Sequence, residues 1–326
     1  VLHLPVPPRS NFVFALCQKG AERAVRDEFM QHGLSPAFGV DGFVSAKSRR
    51  SLGVDELPPL VLGRRVALSL GKVRRDGEGD GTDSVDVAAV VRDTGAILQR
   101  EEGDRGESAG DNDDGRFIVS VVDRPGGSFV GIHRHRPGLS PDPGGDPRLE
   151  VPDNAPSRAW LKLEEANRIM PLPIGAGDVV VEVGCAPGGQ TRALLDRGCI
   201  VVGVDPNRMD ERVAHEPTFK HLQCSASHVD ADLLRRTLPG PARFIVVDIN
   251  QRPLAALSSV SGIIGATKDT LRGGVFTLKL GDWALMRELP SWRSRLEGMF
   301  GGAVSTWATQ LPANRQELTV VVRRTT

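Results

Sequence analysis

VVVEVGCAPGGQTRALLDRGCIVVGVD, residues 179–205, decides how the rest of the chain is read. It opens with a mostly apolar, β-branched run, Val179 to Val183, followed by a Gly-rich corner, Gly184-Cys185-Ala186-Pro187-Gly188-Gly189. A short amphipathic helix carrying Ala193, Leu194 and Leu195 comes next, and a second apolar run, Ile200 to Val204, ends on Asp205. Strand, tight turn, helix and strand in that order make a βαβ unit of a parallel sheet. Glycines at the corner are expected to let the backbone approach a ligand that a Cβ would hold off. Asp205, sixteen residues after Gly189, is placed to accept the hydroxyls of a ribose.

Two cofactor classes share that geometry. A dinucleotide site needs G-x-G-x-x-G, so that a pyrophosphate sits on the helix N-terminus. Here the spacing is G-x-x-x-G-G, and Pro187 removes one donor that a phosphate would use. The corner therefore favours a nucleoside ligand without phosphates.

Outward from this unit, the 326-residue chain is long enough for two domains, and 40% hydrophobic with 25% charged residues is ordinary for a soluble globular protein. No apolar run approaches a membrane span, so the expected location is the cytoplasm. Cys17, Cys185, Cys199 and Cys224 show neither C-x-x-C pairing nor metal-ligand spacing and read as buried thiols; no metal is expected. Formal net charge is zero, but residues 156–326 carry +4 and residues 1–155 carry −4. Glu101 to Asp114 alone holds seven acids against one base, so one acidic loop masks a mildly basic protein.

Pro137 to Pro156 is dense in Pro, Gly and Asp and marks a linker, taken as 136–155. Before it, residues 11–135 alternate strand and helix patterns in the manner of an α+β domain. Asn11–Cys17, Val61–Leu70, Phe117–Val122 and Ser128–Ile132 read as strands, Phe38–Ala46 as a hairpin about Asp41-Gly42, and Gly20–His32 and Val85–Leu98 as helices. Asp76–Asp83 and Glu101–Gly115 read as solvated loops. After the linker, Ser157–Ile169 is a helix with Ser157 as N-cap. Beyond Asp205, strands are expected at Phe219–Gln223, Phe244–Val247, Val275–Leu280, Ala303–Ala308 and Glu317–Val322, with helices between them. With the first two, that makes a seven-stranded α/β sheet over residues 156–326.

Three charges stand where such a sheet should be apolar. Asp248 ends a strand on the ligand-binding edge, Lys279 interrupts TLKL, and Glu317 opens the last strand. Burying an unpaired charge is costly, so such residues gather into networks. Lys162, flanked by apolar neighbours on the helix after the linker, would complete a balanced set of two lysines and two carboxylates.

SRAWLKLEEA, VGCAPGGQT, VVDINQRP, FTLKLGD and NRQELTVVVRR resemble the successive motifs of FtsJ-type RNA ribose 2′-O-methyltransferases, and within that family those acting on large-subunit ribosomal RNA. The resemblance implies a Rossmann-like methyltransferase domain that uses S-adenosyl-L-methionine (AdoMet), bound through Gly184–Gly189, Asp205, Ser225 and Asp248. It implies a catalytic tetrad of Lys162, Asp248, Lys279 and Glu317, a cytidine of 23S rRNA as substrate, and a smaller THUMP-like RNA-binding domain over 11–135. The chain departs from the family in lacking an Asp at Gln223-Cys224-Ser225, where the adenine is usually contacted, and in having DINQRP for the usual DMSPN-like run.

On that reading Lys279 takes the proton of the 2′-OH, its neutral form favoured by partial burial and by Lys162 nearby. Asp248 orients it, while Lys162 and Glu317 position the ribose. The alternatives are the same chemistry on tRNA or an mRNA cap, or a catalytically silent RNA-binding protein on the same fold.

Overall fold

The computed structural model describes residues 8–73, 84–110, 113–125 and 127–325, so the loop expected at Asp76–Asp83 lies outside the described residues. The chain divides into two units, Val1–Pro147 and Arg148–Thr326.

The first unit runs β1 (Arg9–Cys17), α1 (Glu22–Gln31), β2 (Ser35–Val40), β3 (Phe43–Gly53), β4 (Gly63–Val73), α2 (Val87–Thr94), β5 (Ile97–Arg100), β6 (Phe117–Arg124) and β7 (Gly127–Arg134). Its sheet order is β2-β3-β1-β4-β7-β6-β5, antiparallel except for the β5–β6 pair. The Asp41-Gly42 hairpin forms as expected, joining β2 to β3. The helix expected over Val85–Leu98 is shorter. Asp86 caps its start by accepting from the Ala89 N–H, and Gly95, at φ 63°, ends it in a left-handed turn. The residues left over become β5, an edge strand that the helical pattern concealed.

Two expectations for this unit are corrected. Glu101 is not solvated: it is 8% exposed and lies between Arg64 at 3.0 Å and Arg124 at 2.6 Å. Part of the Pro/Gly-rich stretch is not free linker either. Arg65 donates to the Asp142 carbonyl at 2.5 Å, Gln99 to that of Pro141 at 2.8 Å, and Arg64 to that of Gly144 at 3.0 Å. Buried guanidinium and amide donors need acceptors, and this segment supplies carbonyls that no strand uses.

The second unit carries α3 (Ala159–Ile169), β8 (Val179–Val183), α4 (Gly189–Asp196), β9 (Ile200–Val204), α5 (Glu211–Ala214), β10 (Phe219–Leu222), α6 (Ala231–Thr237), β11 (Ala242–Val247), α7 (Pro253–Thr267), β12 (Gly273–Lys279), α8 (Leu289–Phe300), β13 (Val304–Thr309) and β14 (Glu317–Arg324). The sheet order is β10-β9-β8-β11-β12-β14-β13, with β14 antiparallel to its neighbours on both sides. This is the α/β methyltransferase architecture of seven strands. Its four central strands are buried valine, isoleucine and phenylalanine runs, as a sheet covered on both faces requires. Strand order reverses between β8 and β11, which opens a crevice beyond their carboxyl ends. No helix among the described residues is long and apolar enough to cross a membrane.

Candidate active site

Four separate segments meet at that carboxyl edge. Asp248 follows β11 directly, its N–H held by the Val183 carbonyl at 2.9 Å. Lys279 is the last residue of β12 and pairs in register with Glu317, the first of β14. Lys162 comes from the first turn of α3. A second α3 side chain, Glu165, ties that helix to the loop before β14 by accepting the Ala313 N–H at 2.8 Å.

The four charges close into a ring. Lys162 Nζ lies 2.8 Å from Asp248 Oδ2 and 2.8 Å from Glu317 Oε2. Lys279 Nζ lies 2.7 Å from Asp248 Oδ1 and 2.6 Å from Glu317 Oε1. All four side chains are between 10% and 22% exposed, so each charge depends on its neighbours rather than on water. The expected meeting of Lys162, Asp248, Lys279 and Glu317 is therefore present as geometry.

The expected neutrality of Lys279 is not. Burial pushes its ammonium toward neutrality, but Asp248 and Glu317 outweigh that by charge and hydrogen bonding, and its pKa is raised. Counting only the second lysine missed that each lysine faces two carboxylates.

The glycine corner also differs from expectation. A Cβ on Gly184 would lie 2.4 Å from the Asp248 carbonyl oxygen, and one on Gly189 would lie 2.3 Å from Ser157 Oγ and 2.9 Å from the Trp160 nitrogen. One on Gly188 would meet Val213 at 2.4 Å. Gly184 and Gly189 let the corner touch the loop after β11 and the start of α3, the two elements that carry Asp248 and Lys162, and Gly188 lets it touch α5. Cys185 is turned inward, its Sγ 3.5 Å from Met209 Sδ. Ser157 supports the helix start by accepting the Ala159 N–H at 3.3 Å, one residue before the formal cap.

Beside the corner lies a cavity of about 320 Å³, within the range of small-molecule sites, roughly 300–1,000 Å³. Gly184, Ala186, Asp205 and Ser225 line it, as do Asn250 and Gln251, which the sequence reading passed over. Cys185, Pro187, Gly188, Gly189 and Asp248 do not. Asp205 Oδ1 accepts from the Asn207 backbone and side chain at 2.8 and 3.0 Å, and Oδ2 accepts from the Ala186 N–H at 3.2 Å. Its first oxygen is thereby filled, and one acceptor site remains on the second.

Glu182 interrupts the valine run of β8. It is 1% exposed on β8; Oε2 accepts from Thr191 at 2.7 Å, and Oε1 has no partner among the described residues. Burial first, then the charges of Asp248 and Asp205, push its carboxyl up to about 8. A carboxyl whose folded pKa is raised binds more protons folded than unfolded, so stability falls as pH climbs from about 4.5 toward 8. Glu182→Gln should flatten that decline, read as melting temperature against pH. An unchanged slope would place the titration elsewhere.

The cysteines divide. Cys17, Cys185 and Cys199 are buried, whereas Cys224 is half-exposed and adjoins the cavity residue Ser225. Burial pushes the Cys17 thiol up to about 12, the Cys199 thiol up to about 11, and that of Cys185 further still.

Residues 155–280 match the FtsJ-like methyltransferase family. The chain is 32% identical over 186 residues to ribosomal RNA large subunit methyltransferase M of Halorhodospira halophila, covering 56% of this chain and 51% of that protein. It is 31% identical over 212 residues to the protein of the same name from Pseudomonas putida, covering 60% and 57%. The chain thus spans about half the length of the curated relatives it matches. Among solved structures, a ribosomal RNA methyltransferase from Plasmodium falciparum aligns with TM-score 0.38 and 17% identity, over 52% of this chain and 97% of that one.

Proposed function

We propose that the FtsJ-like methyltransferase domain of this chain moves a methyl group from AdoMet to a ribose 2′-OH of large-subunit ribosomal RNA, at a cytidine. The observation that carries this reading is the closed ring of Lys162, Asp248, Lys279 and Glu317 at the sheet edge. Ribosomal RNA as the substrate follows the relatives, which are ribosomal RNA large subunit methyltransferases.

The residues fit the donor. Glu182, Asp205 and Asp248 interact electrostatically around the corner, Glu182 has an unpartnered buried oxygen, and Asp205 keeps one acceptor site. That is a surrounding for a cationic nucleoside that also offers hydroxyls. When bound, AdoMet supplies an electrophilic methyl group.

The chain's own residues do the rest. Asp248 and Glu317 hold the two lysines, and Lys162 bridges the two carboxylates. Lys279 accepts the hydroxyl proton at Nζ after losing its own, a loss favoured when a cation occupies the neighbouring cavity. Fixing hydroxyl and methyl in line supplies much of the acceleration. The first unit, THUMP-like on this reading, holds RNA.

Labelled AdoMet incubated with the chain and RNA from cells lacking the gene tests the activity, and mapping of 2′-O-methyl sites tests the target. Label in base rather than ribose, or none, would sink the reading. Asp205→Ala should weaken AdoMet binding by on the order of 1–3 kcal/mol in calorimetry. Parent-like affinity would remove Asp205 from the donor site.

A further inference from the structure

Alternation along β1 and β3 gives the first unit's sheet two unlike faces. Val13, Ala15, Val44 and Ala46 are wholly buried, on the side that α1 covers. Their sequence neighbours point the other way, where Phe14, Leu16 and Phe43 are buried as well but two further rings are not. Phe12 is 45% exposed and Phe38 is 40% exposed, although large apolar side chains usually find cover.

Beneath them is a prepared aromatic layer. Phe14, Phe43 and Phe129 belong to one buried cluster, and Gly131 is small because a Cβ there would lie 2.4 Å from the Phe14 ring. Phe38 stacks on Phe129 with centroids 5.9 Å apart and planes 17° apart and lies tilted 6.2 Å from Phe43, yet stays largely open to solvent. Its backbone is fixed by an N–H donated to Ser45 Oγ at 3.1 Å.

Cations accompany the rings. Lys47 pairs in register with Phe12 and holds its Nζ 5.6 Å from that ring's centroid. Lys72 lies 4.5 Å over Phe129, on which Phe38 stacks. Lys47 has no ion pair among the described residues. Of the two exposed rings, Phe12 has a lysine directly against it, and Lys72 sits over the buried ring on which Phe38 stacks. Aromatic faces flanked by cations match a nucleic acid strand, which offers a base and a phosphate at every step. Phe12 and Phe38 sit two strands and two residues apart, roughly 12 Å from strand and residue spacings, so one base cannot cover both.

We propose that the exposed part of this sheet face is a stacking platform for unpaired RNA bases, with Phe12 and Phe38 each receiving one base and Lys47 meeting an adjoining phosphate. It rests on the reading of the chain as an RNA enzyme and names the part of the first unit that holds the substrate.

The test uses the full chain and a short unstructured RNA oligonucleotide, with anisotropy followed against salt. Phe12→Ala with Phe38→Ala should weaken binding about 10-fold or more while the salt slope stays at the parent value, because stacking releases no counterions. Lys47→Gln should instead make the slope shallower by about 0.7. Phe38→Trp should retain affinity and show indole quenching when RNA binds. Melting temperature and AdoMet affinity serve as controls for the fold and should match the parent in every variant. Parent-like RNA affinity in the double variant, or no quenching in Phe38→Trp, overturns the platform while leaving methyl transfer standing. A parent chain that neither binds nor methylates RNA overturns the platform together with the reading beneath it.

Discussion

Lys279→Met is expected to lower single-turnover methyl transfer by about 100-fold or more while AdoMet affinity stays near the parent value. Met fills a similar volume, so the change deletes the proposed proton acceptor and leaves Asp248 and Glu317 sharing Lys162 alone. Lys279→Arg keeps the charge in the ring but cannot accept a proton, and should be as inactive as the Met variant. Since the carboxylates raise the Lys279 pKa, on the proposed mechanism most of the parent protein at neutral pH carries the proton where the acceptor should be free. Its rate should therefore climb with pH through the neutral range without a plateau, and the slope should vanish in Lys279→Arg. An active Arg variant, or a rate flat across neutral pH, would assign Lys279 to holding charge and leave the base elsewhere.

Gly184→Ala should damage fold and site together. Its φ of 84° strains a side chain, at a cost of about 1–3 kcal/mol. The added methyl would also lie 2.4 Å from the Asp248 carbonyl oxygen, which is backbone and cannot rotate aside. Relief requires the loop after β11 to retreat, carrying Asp248 away from both lysines while reshaping the cavity. Melting should fall by several degrees, with AdoMet binding and transfer failing together. Gly175→Ala, at a position with open space around it, is the matched control and should be close to silent. A Gly184→Ala chain that binds AdoMet normally would show that corner and ring are independent.

Much of this was legible because the second unit obeys simple periodicity. The runs at Val179–Val183 and Ile200–Val204 became strands with those same ends. Lys279 and Asp248 stood out because a charge inside a buried run needs partners. Glu182 met the same criterion and was overlooked, an acid among four valines that the apolar tally absorbed. What periodicity could not reveal was who neighbours whom. Gly184, Gly188 and Gly189 were read as making room for a ligand, whereas their missing methyls make room for other parts of the chain. The sign of the Lys279 shift depends on two carboxylates converging from distant segments. Glu101 looked like part of an acidic loop until two arginines from separate strands enclosed it.

The unequal burial of the four thiols has a practical consequence. Alkylation proceeds through the thiolate, and burial both shields Cys17, Cys185 and Cys199 and keeps their protons on. A maleimide dye added to the native chain should therefore settle on Cys224 alone, one residue from the cavity wall at Ser225. The protein carries its own attachment point for an optical reporter of occupancy, with no cysteine to add or remove.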